Sequence, residues 1–263
     1  MNTVLITGGA GGQGLSHAIG FANRGYNVAV GDIYELESTI VQKAIKKISE
    51  AGTSPLYIKC DVTKENEVEE LFTLTKYQYS TIDIVISNAG IMNFGATWEL
   101  TDEQVKKTID VNLLGTWRVN KEAAKYMIDQ KQGRIINIAS TAGLKGTPNL
   151  AHYTMSKFGV VGLTKTLAKE LGKYGITVNV ICPTMAKTPM TERKEFIDYL
   201  NTINGTDFKD FEEADRVLKS RRSMGIAFID PIDITNMIIW VATSKEARLI
   251  TGATLPIDAG SLL

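Results

Sequence analysis

Thr7-Gly8-Gly9-Ala10-Gly11-Gly12-Gln13-Gly14 stands near the start of the chain, directly after the apolar run Val4-Leu5-Ile6. From Leu15 to Asn23 the apolar residues recur at helical spacing. A strand, a glycine-rich turn and a helix in this order can cradle the pyrophosphate of a dinucleotide. The glycines let the backbone approach closely, and the helix offers free N–H groups and its positive dipole end. Because many tight turns contain glycine, the flanking strand and helix give the motif its specificity.

Composition and charge set limits on the kind of protein. The chain has 263 residues, 44% of them hydrophobic, which is enough to bury one sizeable core. Its 29 basic and 29 acidic residues form no basic stripe or acidic tail, which argues against nucleic-acid and membrane partners. Cys60 and Cys182 lie far apart among strand-like residues, so we expect two buried, reduced thiols and no metal pair. The chain enters its first strand at once and contains no apolar run of membrane-spanning length, which predicts a cytoplasmic protein.

Predicted strands and helices alternate along the chain. The strands are expected at 4–6, 27–32, 56–58, 82–86, 134–139, 178–181 and 254–257, and the helices at 15–23, 38–51, 63–76, from 101 onward, 153–171 and 231–243. The strands are rich in Val and Ile without polar alternation, which is typical of a sheet covered on both faces. This pattern predicts an α/β fold in one domain over residues 1–263. Its doubly wound parallel sheet would have about seven strands, with helices on both faces.

Acidic residues close two of the predicted strands. Asp32 stands roughly 20 residues after the glycine turn, where a carboxylate can accept a hydrogen bond from a ribose 2′-hydroxyl. A carboxylate there would repel a 2′-phosphate, which favours NAD over NADP. The alternative is an ordinary aspartate that caps the next turn. Asp61 also has two interpretations, a contact to the adenine amino group or a cap for the helix near Thr63.

Tyr153 and Lys157 are four residues apart at the start of a predicted helix, so their side chains share one face. A tyrosine with its ordinary pKa of about 10 is a poor base near neutral pH, and a neighbouring cation lowers that pKa. Such a pair suits general acid–base catalysis, although an isolated match is more often a surface pair. Ser140 ends the preceding strand and adds a hydroxyl at the same edge of the sheet. Asn112 is polar in an otherwise apolar stretch, and a water relay in an active site is one way to satisfy it.

In order and spacing, these motifs resemble the short-chain dehydrogenase/reductase family. The resemblance covers essentially the whole chain and includes the glycine turn, Asn88-Ala89-Gly90, the four polar residues just described and the ending Asp258-Ala259-Gly260. It implies a single-domain Rossmann fold and reversible hydride transfer between a secondary alcohol carbon and a nicotinamide ring. Where the family usually has Pro-Gly, this chain has Pro183-Thr184, a difference that reshapes the turn under the nicotinamide.

The resemblance implies a role for each site residue. Tyr153 is expected to be the general acid/base, and Lys157 to lower its pKa and hold the nicotinamide ribose. Ser140 is expected to orient the substrate oxygen, and Asn112 to maintain a proton relay through water. Thr188 and the backbone near Ala186 are expected to anchor the nicotinamide carboxamide. The residues expected to bind NAD are Gly8, Gly12, Gln13, Gly14, Asp32, Asp61, Val62, Asn88, Ala89, Gly90, Tyr153, Lys157, Pro183, Ala186 and Thr188.

Three segments resemble the carveol dehydrogenase-like, mycofactocin-associated branch of the family. They are residues 12–18, residues 183–190 with Pro183-Thr184 and Thr188-Pro189-Met190, and residues 251–260. This resemblance implies a cyclic, terpene-type alcohol as substrate. Many members of that branch have extra residues after the second strand that retain NAD, whereas the connection from Ile33 to Ser38 is short here. We therefore expect NAD to exchange freely. His17, in the first of these segments, is expected to be a helix-surface or packing residue.

Residues 189–229 form a connection of about 40 residues, far longer than an ordinary connector and typical of a lid. Phe196, Tyr199, Leu200 and Ile203 fall on one helical face, and Phe208 to Leu218 suggests a second short helix. We predict a substrate-binding lid, the alternative being that its aromatic residues only dock the insertion on the core. The residues expected to touch a hydrophobic alcohol or ketone are Met92, Phe94, Met185 and Met190.

Other functions stay open at this point. A reductase of 3-oxoacyl thioesters or of other carbonyl compounds has the same fold but typically uses NADPH, which Asp32 disfavours. A non-catalytic, NAD-sensing protein would not need the proton-transfer residues. With only His17 and His152 and no Gly-x-Ser-x-Gly elbow, the chain resembles neither a serine hydrolase nor a catalytic zinc protein. The apolar ending at 259–263 suggests burial in a homotetramer, which the family resemblance also implies.

Overall fold

The computed structural model describes residues 2–263, which form a seven-stranded sheet with the order β3-β2-β1-β4-β5-β6-β7. The strands are β1 (Thr3–Thr7), β2 (Asn27–Asp32), β3 (Leu56–Lys59), β4 (Ile84–Ser87), β5 (Gly133–Ile138), β6 (Ile176–Pro183) and β7 (Thr254–Ile257). Neighbouring strands pair in parallel throughout. The strand order reverses between β1 and β4, where doubly wound sheets bind their ligands. The predicted fold class is confirmed.

Helices cover both faces of the sheet. They are α1 (Gly12–Ala22), α2 (Thr39–Glu50), α3 (Glu65–Tyr79), α4 (Asp102–Ile109), α5 (Thr116–Gln130), α6 (Ala151–Leu171), α7 (Pro189–Glu192), α8 (Lys194–Asn204), α9 (Phe211–Lys219) and α10 (Pro231–Thr243). Successive residues of a strand point to opposite faces, so Val4 and Ile6 pack on α1 and α10 while Leu5 packs on α3 and α5. Both halves of the core are fully buried, as the apolar strands predicted.

The helix predicted from Thr101 differs from the expectation. Its start has the predicted capping box, with the Gln104 N–H donating to Thr101 Oγ1 at 3.2 Å and the Thr101 N–H donating to Gln104 Oε1 at 2.8 Å. A π-helical segment, Asp110–Gly115, then separates α4 from α5. Apolar periodicity does not resolve one extra residue in a single turn, so the sequence predicted one continuous helix. The π-helical segment contains Asn112, and such segments are frequent at functional sites.

The insertion contains the two predicted helices, α8 and α9, and begins with the short α7. Asp210 caps α9 by accepting the Glu213 N–H at 2.9 Å. The base of the insertion is closed by main-chain bonds, because the Lys187 N–H donates to the Ile229 oxygen and the Ile229 N–H donates to the Met185 oxygen, each at 2.9 Å. The insertion is therefore tied to the end of β6.

Three smaller predictions have clear outcomes. His17 lies fully buried between α1 and α10 with Nδ1 2.8 Å from Thr235 Oγ1, so it is a packing residue and the helix-surface alternative was wrong. Burial lowers the pKa of His17 to about 3. Cys60 and Cys182 are buried free thiols, as predicted. Within residues 2–263, no helix combines the length and apolar character that a membrane span requires.

Candidate active site

The glycine turn between β1 and α1 has no room for a side chain at Gly8, Gly9 or Gly14. Gly8 and Gly12 have φ values of +65° and +52°, which other residues rarely adopt. A Cβ atom on Gly14 would lie 2.1 Å from the Gly8 carbonyl oxygen. Gly11, at the N-cap of α1, has no side chain to cap the first N–H groups of the helix. The turn and helix end therefore fit the pyrophosphate of a dinucleotide.

Asn88 and Ala89 hold this turn in place from β4. Asn88 Nδ2 donates to the carbonyl oxygens of Thr7 and Gly8 at 3.1 and 3.0 Å. The backbone N–H groups of Asn88 and Ala89 donate to Thr7 Oγ1 at 3.2 and 3.3 Å. Both residues line the same cavity as the glycine turn, so their predicted contact to a cofactor accompanies a structural task. Thr7 opens the glycine motif, but the sequence did not predict that its hydroxyl accepts these two bonds.

Asp32 lies at the end of β2 beside the glycine turn. Its Oδ2 accepts the Ala10 N–H at 2.9 Å and its Oδ1 accepts the Ile33 N–H at 2.8 Å. Burial raises the pKa of Asp32, and these two bonds oppose the rise. Each oxygen keeps lone-pair capacity toward the cavity that Asp32 lines. Asp32 therefore has the geometry to accept ribose hydroxyls while it also supports the turn.

Asp61 follows β3, and its side chain is bonded to Thr63. Its Oδ1 accepts the Thr63 N–H at 3.0 Å and the Thr63 hydroxyl at 2.8 Å. These bonds form a turn that delays the start of α3 to Glu65, two residues later than the periodicity predicted. The N-cap of α3 is Lys64 and no side chain caps it, so the interpretation of Asp61 as a helix cap was wrong. Asp61 and Val62 also line the cavity, and a contact to adenine stays a prediction.

A cavity of about 1500 Å³ runs along the carboxyl edge of the sheet from Asp32 to Tyr153. It joins Asp32, the predicted ribose ligand, to Tyr153, the predicted acid/base, as a bound dinucleotide requires. The predicted site residues that line it are Gly8, Gly12, Gln13, Asp32, Asp61, Val62, Asn88, Ala89, Gly90, Tyr153, Lys157, Thr188 and Met190. Those outside its lining are Gly14, Met92, Phe94, Asn112, Ser140, Pro183, Met185 and Ala186. Gly14 and Pro183 instead shape backbone under the cavity, and Ala186 is buried at the base of the insertion.

Tyr153 and Lys157 share one face of α6, as predicted from their spacing. Lys157 Nζ lies 5.5 Å from the centroid of the Tyr153 ring and donates to the Ile138 carbonyl oxygen at 2.9 Å. Burial lowers the pKa of Lys157 to about 8 and raises the pKa of Tyr153 to about 12. Without a bound, positively charged nicotinamide, Tyr153 is therefore a neutral phenol over the physiological pH range. Ile138 was missed because a main-chain carbonyl has no sequence signal.

Ser140 follows β5 on the same side of the sheet as Tyr153. Its Oγ accepts the Ala142 N–H at 3.1 Å, which starts a 3₁₀ turn at Thr141–Gly143. The nearby Ser140 hydroxyl lowers the pKa of the Tyr153 phenol against the larger effect of burial. The structure thus brings Ser140, Tyr153 and Lys157 together, and a hydroxyl and a phenol can bind one substrate oxygen.

Asn112 is fully buried and its side chain is bonded to protein groups. Its Oδ1 accepts the Ile91 N–H at 2.8 Å, and its Nδ2 donates to the Ile91 oxygen at 2.9 Å and to Ser156 Oγ at 3.2 Å. Its carbonyl oxygen accepts the Thr116 hydroxyl at 2.8 Å. The interpretation that a water relay satisfies the Asn112 side chain was therefore wrong, because the loop after β4 lies within reach. A relay at its carbonyl oxygen, which has a second lone pair, stays a prediction.

Ser156 was missed between Tyr153 and Lys157. Its hydroxyl donates to the Tyr153 carbonyl oxygen at 2.7 Å and accepts the bond from Asn112. It therefore links the π-helical segment to the helix turn that presents Tyr153. A polar residue on the buried face of α6 is the signal that could have identified it.

The insertion packs against the predicted substrate residues. We call this set the lid cluster; it comprises Met92, Leu150, Phe196, Ile197, Tyr199, Leu200, Phe208, Phe211, Ala214, Leu218, Ala227 and Phe228, with Phe94, Tyr153, Met185 and Val217 packed against it. The Phe94 ring stacks on Tyr199 with centroids 4.5 Å apart. Met190 does not belong to the lid cluster; it is 37% exposed and lines the cavity that runs from Asp32 to Tyr153. Tyr153 therefore lines the cavity and also packs against the apolar lid cluster.

Lys157→Met removes the buried ammonium group of Lys157. We expect this change to raise the free energy of unfolding of the cofactor-free protein at pH 7. The fall of the pKa from 10.5 to about 8 corresponds to about 3 kcal/mol at ~1.4 kcal/mol for each pKa unit. Leaving the Ile138 carbonyl without its donor costs about 1 kcal/mol, so a gain of about 2 kcal/mol is expected. The unfolded chain binds the Lys157 proton below pH 10.5 and the folded chain only below about 8. The free energy of unfolding of the wild type therefore rises as the pH increases from about 8 to 10.5, and the difference between Lys157→Met and the wild type shrinks. Urea unfolding at pH 7 and at about pH 9.5 measures it, and a difference that grows with pH would contradict the burial argument.

Comparisons with known proteins agree with the geometry of this site. A family model described as short chain dehydrogenase matches residues 2–196. An uncharacterized NAD-dependent oxidoreductase of Mycobacterium tuberculosis is 34% identical, over 98% of this chain and 94% of its own length. A 3-oxoacyl-[acyl-carrier-protein] reductase of Synechocystis is 33% identical, over 98% of this chain and 96% of its own.

The fold also matches a solved structure along its full length. The crystal structure of carveol dehydrogenase from Mycobacterium avium in complex with NAD superposes with a TM-score of 0.92. The two sequences are 26% identical, and the match covers 99% of this chain and 97% of the other.

Proposed function

The chain belongs to the short-chain dehydrogenase family, and on that premise we propose that it is an NAD-dependent enzyme that interconverts a secondary alcohol and a ketone. An alcohol or carbonyl oxidoreductase is the activity common to its relatives. The finer proposal is that the substrate is a hydrophobic cyclic alcohol of terpenoid type. One observation supports it best: Tyr153 lies between Lys157, on the cavity side, and the apolar lid cluster.

The residues of the site suggest a division of work. The bound oxidised nicotinamide would supply the hydride acceptor and a positive charge beside Tyr153. The phenol of Tyr153, held near Lys157, would take the proton of the substrate hydroxyl, and its pKa of about 12 must fall for that. Lys157 already lies beside Tyr153, so the fall would come from the positive charge of the bound nicotinamide. The Ser140 hydroxyl would hold the substrate oxygen through the reaction. In the reverse direction, Tyr153 would return the proton to the ketone oxygen.

The lid cluster supports the proposal that the substrate is apolar. Met92 belongs to the lid cluster, and Met185, Phe94 and Tyr153 pack against it, so Tyr153 shares an apolar environment with these side chains. An apolar wall with one polar centre suits a ring that carries a single hydroxyl or keto group. We propose that residues 189–229 form the lid over this ring. The short β2 to α2 connection supports free exchange of NAD.

Asp32→Asn is expected to lower kcat/KM for NAD by about 10- to 100-fold, because hydrogen bonds to a charged acceptor are worth about 1.5–3 kcal/mol. With NADP, kcat/KM should fall far less or rise, since the carboxylate would no longer repel a 2′-phosphate. The ratio of the two kcat/KM values, from initial rates with one secondary alcohol, measures the effect.

Asp83→Asn is the matched control for this change. Asp83 Oδ2 also accepts a backbone N–H, from Thr3 at 2.8 Å, but at the amino edge of the sheet. Its substitution should leave the NAD to NADP ratio unchanged. A wild-type enzyme that prefers NADP, or an Asp32→Asn enzyme with the wild-type ratio, would contradict the role proposed for Asp32.

A 3-oxoacyl thioester reductase is the second candidate, favoured by the 33% identity to the Synechocystis enzyme. The carboxylate of Asp32 argues against the NADPH typical of that activity. A panel that contains cyclic terpenols and 3-hydroxyacyl thioesters separates the two candidates by their kcat/KM values.

We also propose a homotetramer, supported by the exposed apolar side chains Leu114, Trp117, Met155 and Phe158 on neighbouring helices. Its mass in solution by light scattering tests that assembly.

A further inference from the structure

One guanidinium of the insertion lies against the lid cluster. Arg193 stands between α7 and α8, and its Nη2 donates to the carbonyl oxygen of Met92. Its guanidinium carbon lies 5.4 Å from the centroid of the Phe94 ring. Met92 and Phe94 belong to the cluster against which Tyr153 packs. A cation and the candidate general base therefore share one apolar wall.

Most N–H donors of this guanidinium have no acceptor in the described residues. It has five N–H groups, and the Met92 carbonyl is the one acceptor they reach in residues 2–263. Its Nε is buried without a partner among those residues. Arg193 is partly buried, and a buried N–H group without an acceptor is unfavourable unless another molecule supplies one.

The described part of the chain also supplies no counter-charge to Arg193. The ion pairs of residues 2–263 do not include it. Its acidic sequence neighbours Glu192 and Glu195 are exposed. By contrast Arg118, whose side chain is 17% exposed, pairs with Asp110 at 2.9 Å. The fold thus pairs a comparable arginine elsewhere and leaves this one unpaired beside the substrate residues.

We propose that Arg193 binds a carboxylate of the substrate. The substrate class is then an apolar ring with the reacting hydroxyl or keto group at one end and a carboxylate at the other. The ring matches the apolar wall of Met92, Phe94 and Tyr199, and two carboxylate oxygens match the N–H fork of a guanidinium. This inference rests on the proposed function and narrows its substrate.

The simpler alternative is that Arg193 only fastens the insertion to the loop after β4. Its bond to Met92 and its position over Phe94 both span that gap. If Arg193 has only this structural role, its substitution would change the affinity for acidic and neutral substrates by the same factor, because it would disturb the lid cluster that both contact. A carboxylate site changes the affinity for acidic substrates relative to neutral ones. The ratio of these affinities therefore separates the two roles.

The test compares 4-oxocyclohexanecarboxylate with 4-methylcyclohexanone as ligands of the NAD⁺-loaded protein. A ketone and NAD⁺ are both oxidised, so no turnover occurs and calorimetry gives each Kd directly. We expect the wild type to bind the acid at least about tenfold more tightly, and Arg193→Met to lower that ratio by about tenfold or more. Lys194→Met removes the exposed neighbouring cation and should preserve the ratio. Arg193→Lys keeps a charge and should retain part of the ratio.

Three results would overturn the inference. The wild type could bind the acid no more tightly than the neutral ketone, or bind neither ligand. Alternatively, Arg193→Met could weaken both ligands by the same factor, which is the signature of a fastener. The proposed function is tested separately, by NAD-dependent oxidation of neutral cyclic alcohols and its loss in Tyr153→Phe. It can therefore survive the failure of the carboxylate site, and the wild-type comparison needs no variant to fold.

Discussion

Tyr153→Phe is expected to lower kcat by about 10²- to 10⁴-fold, the usual contribution of general acid–base catalysis. The substitution removes one oxygen atom and keeps the ring that packs against the lid cluster. Lys157 keeps its bond to the Ile138 carbonyl oxygen, and the glycine turn is not in contact with the change. The affinity for NADH, measured by fluorescence titration, should therefore stay within about threefold of the wild type.

Tyr26→Phe controls for the loss of a phenolic oxygen elsewhere. Tyr26 packs edge-on against Phe21 with ring centroids 5.2 Å apart, on the face of the sheet covered by α1. Its substitution should leave kcat unchanged. If Tyr153→Phe kept the wild-type kcat, with chemistry rate-limiting, Tyr153 could not be the general acid/base. A parallel loss of NADH affinity would instead point to a damaged cofactor site.

Gly14→Ala is expected to lower the affinity for NADH by more than about 100-fold and to destabilise the fold by about 2–4 kcal/mol. The added Cβ would stand 2.1 Å from the Gly8 oxygen and 2.6 Å from Asn88 Nδ2. Both contacts involve the cradle itself, so the turn has to open to admit the methyl group. NADH titration and urea unfolding of the protein measure the two effects.

Gly172→Ala is the matched substitution at a glycine with open space. Gly172 ends α6 with helical φ and ψ values of −56° and −37°, and a Cβ there meets nothing within 4 Å. Alanine is a better helix former by about 1 kcal/mol, so this variant should be at least as stable as the wild type and bind NADH equally well. A Gly14→Ala protein with normal NADH affinity would show that the turn is not the pyrophosphate site.

The fold was predictable because its signals are local and repeated. Strands such as Val4-Leu5-Ile6 are apolar throughout, since both faces of the sheet are covered. Turn glycines and the Thr101–Gln104 box mark the ends of elements. The π-helical segment at Asn112 escaped prediction because its cause is tertiary, with Ile91, Ser156 and Thr116 bonding to one residue.

The site was predictable to the extent that its chemistry uses side chains at fixed spacings. Tyr153 and Lys157 share a face because four residues make about one helical turn. The spacing did not reveal main-chain acceptors such as the Ile138 oxygen, or the direction of the pKa shifts, which burial decides. Arg193 had no motif, and its position over Phe94 depends on how the insertion folds back.

NAD-dependent oxidation of a cyclic secondary alcohol, with Tyr153 as the general base, is tested by the rate of reduced-nicotinamide formation. Cyclic secondary alcohols are offered with NAD or NADP. Wild-type protein and the Tyr153→Phe variant are measured side by side over the same alcohol panel. We expect turnover with NAD, a much lower kcat/KM with NADP, and loss of turnover in the variant. Turnover with NADP alone, or equal rates in wild type and variant, would contradict it.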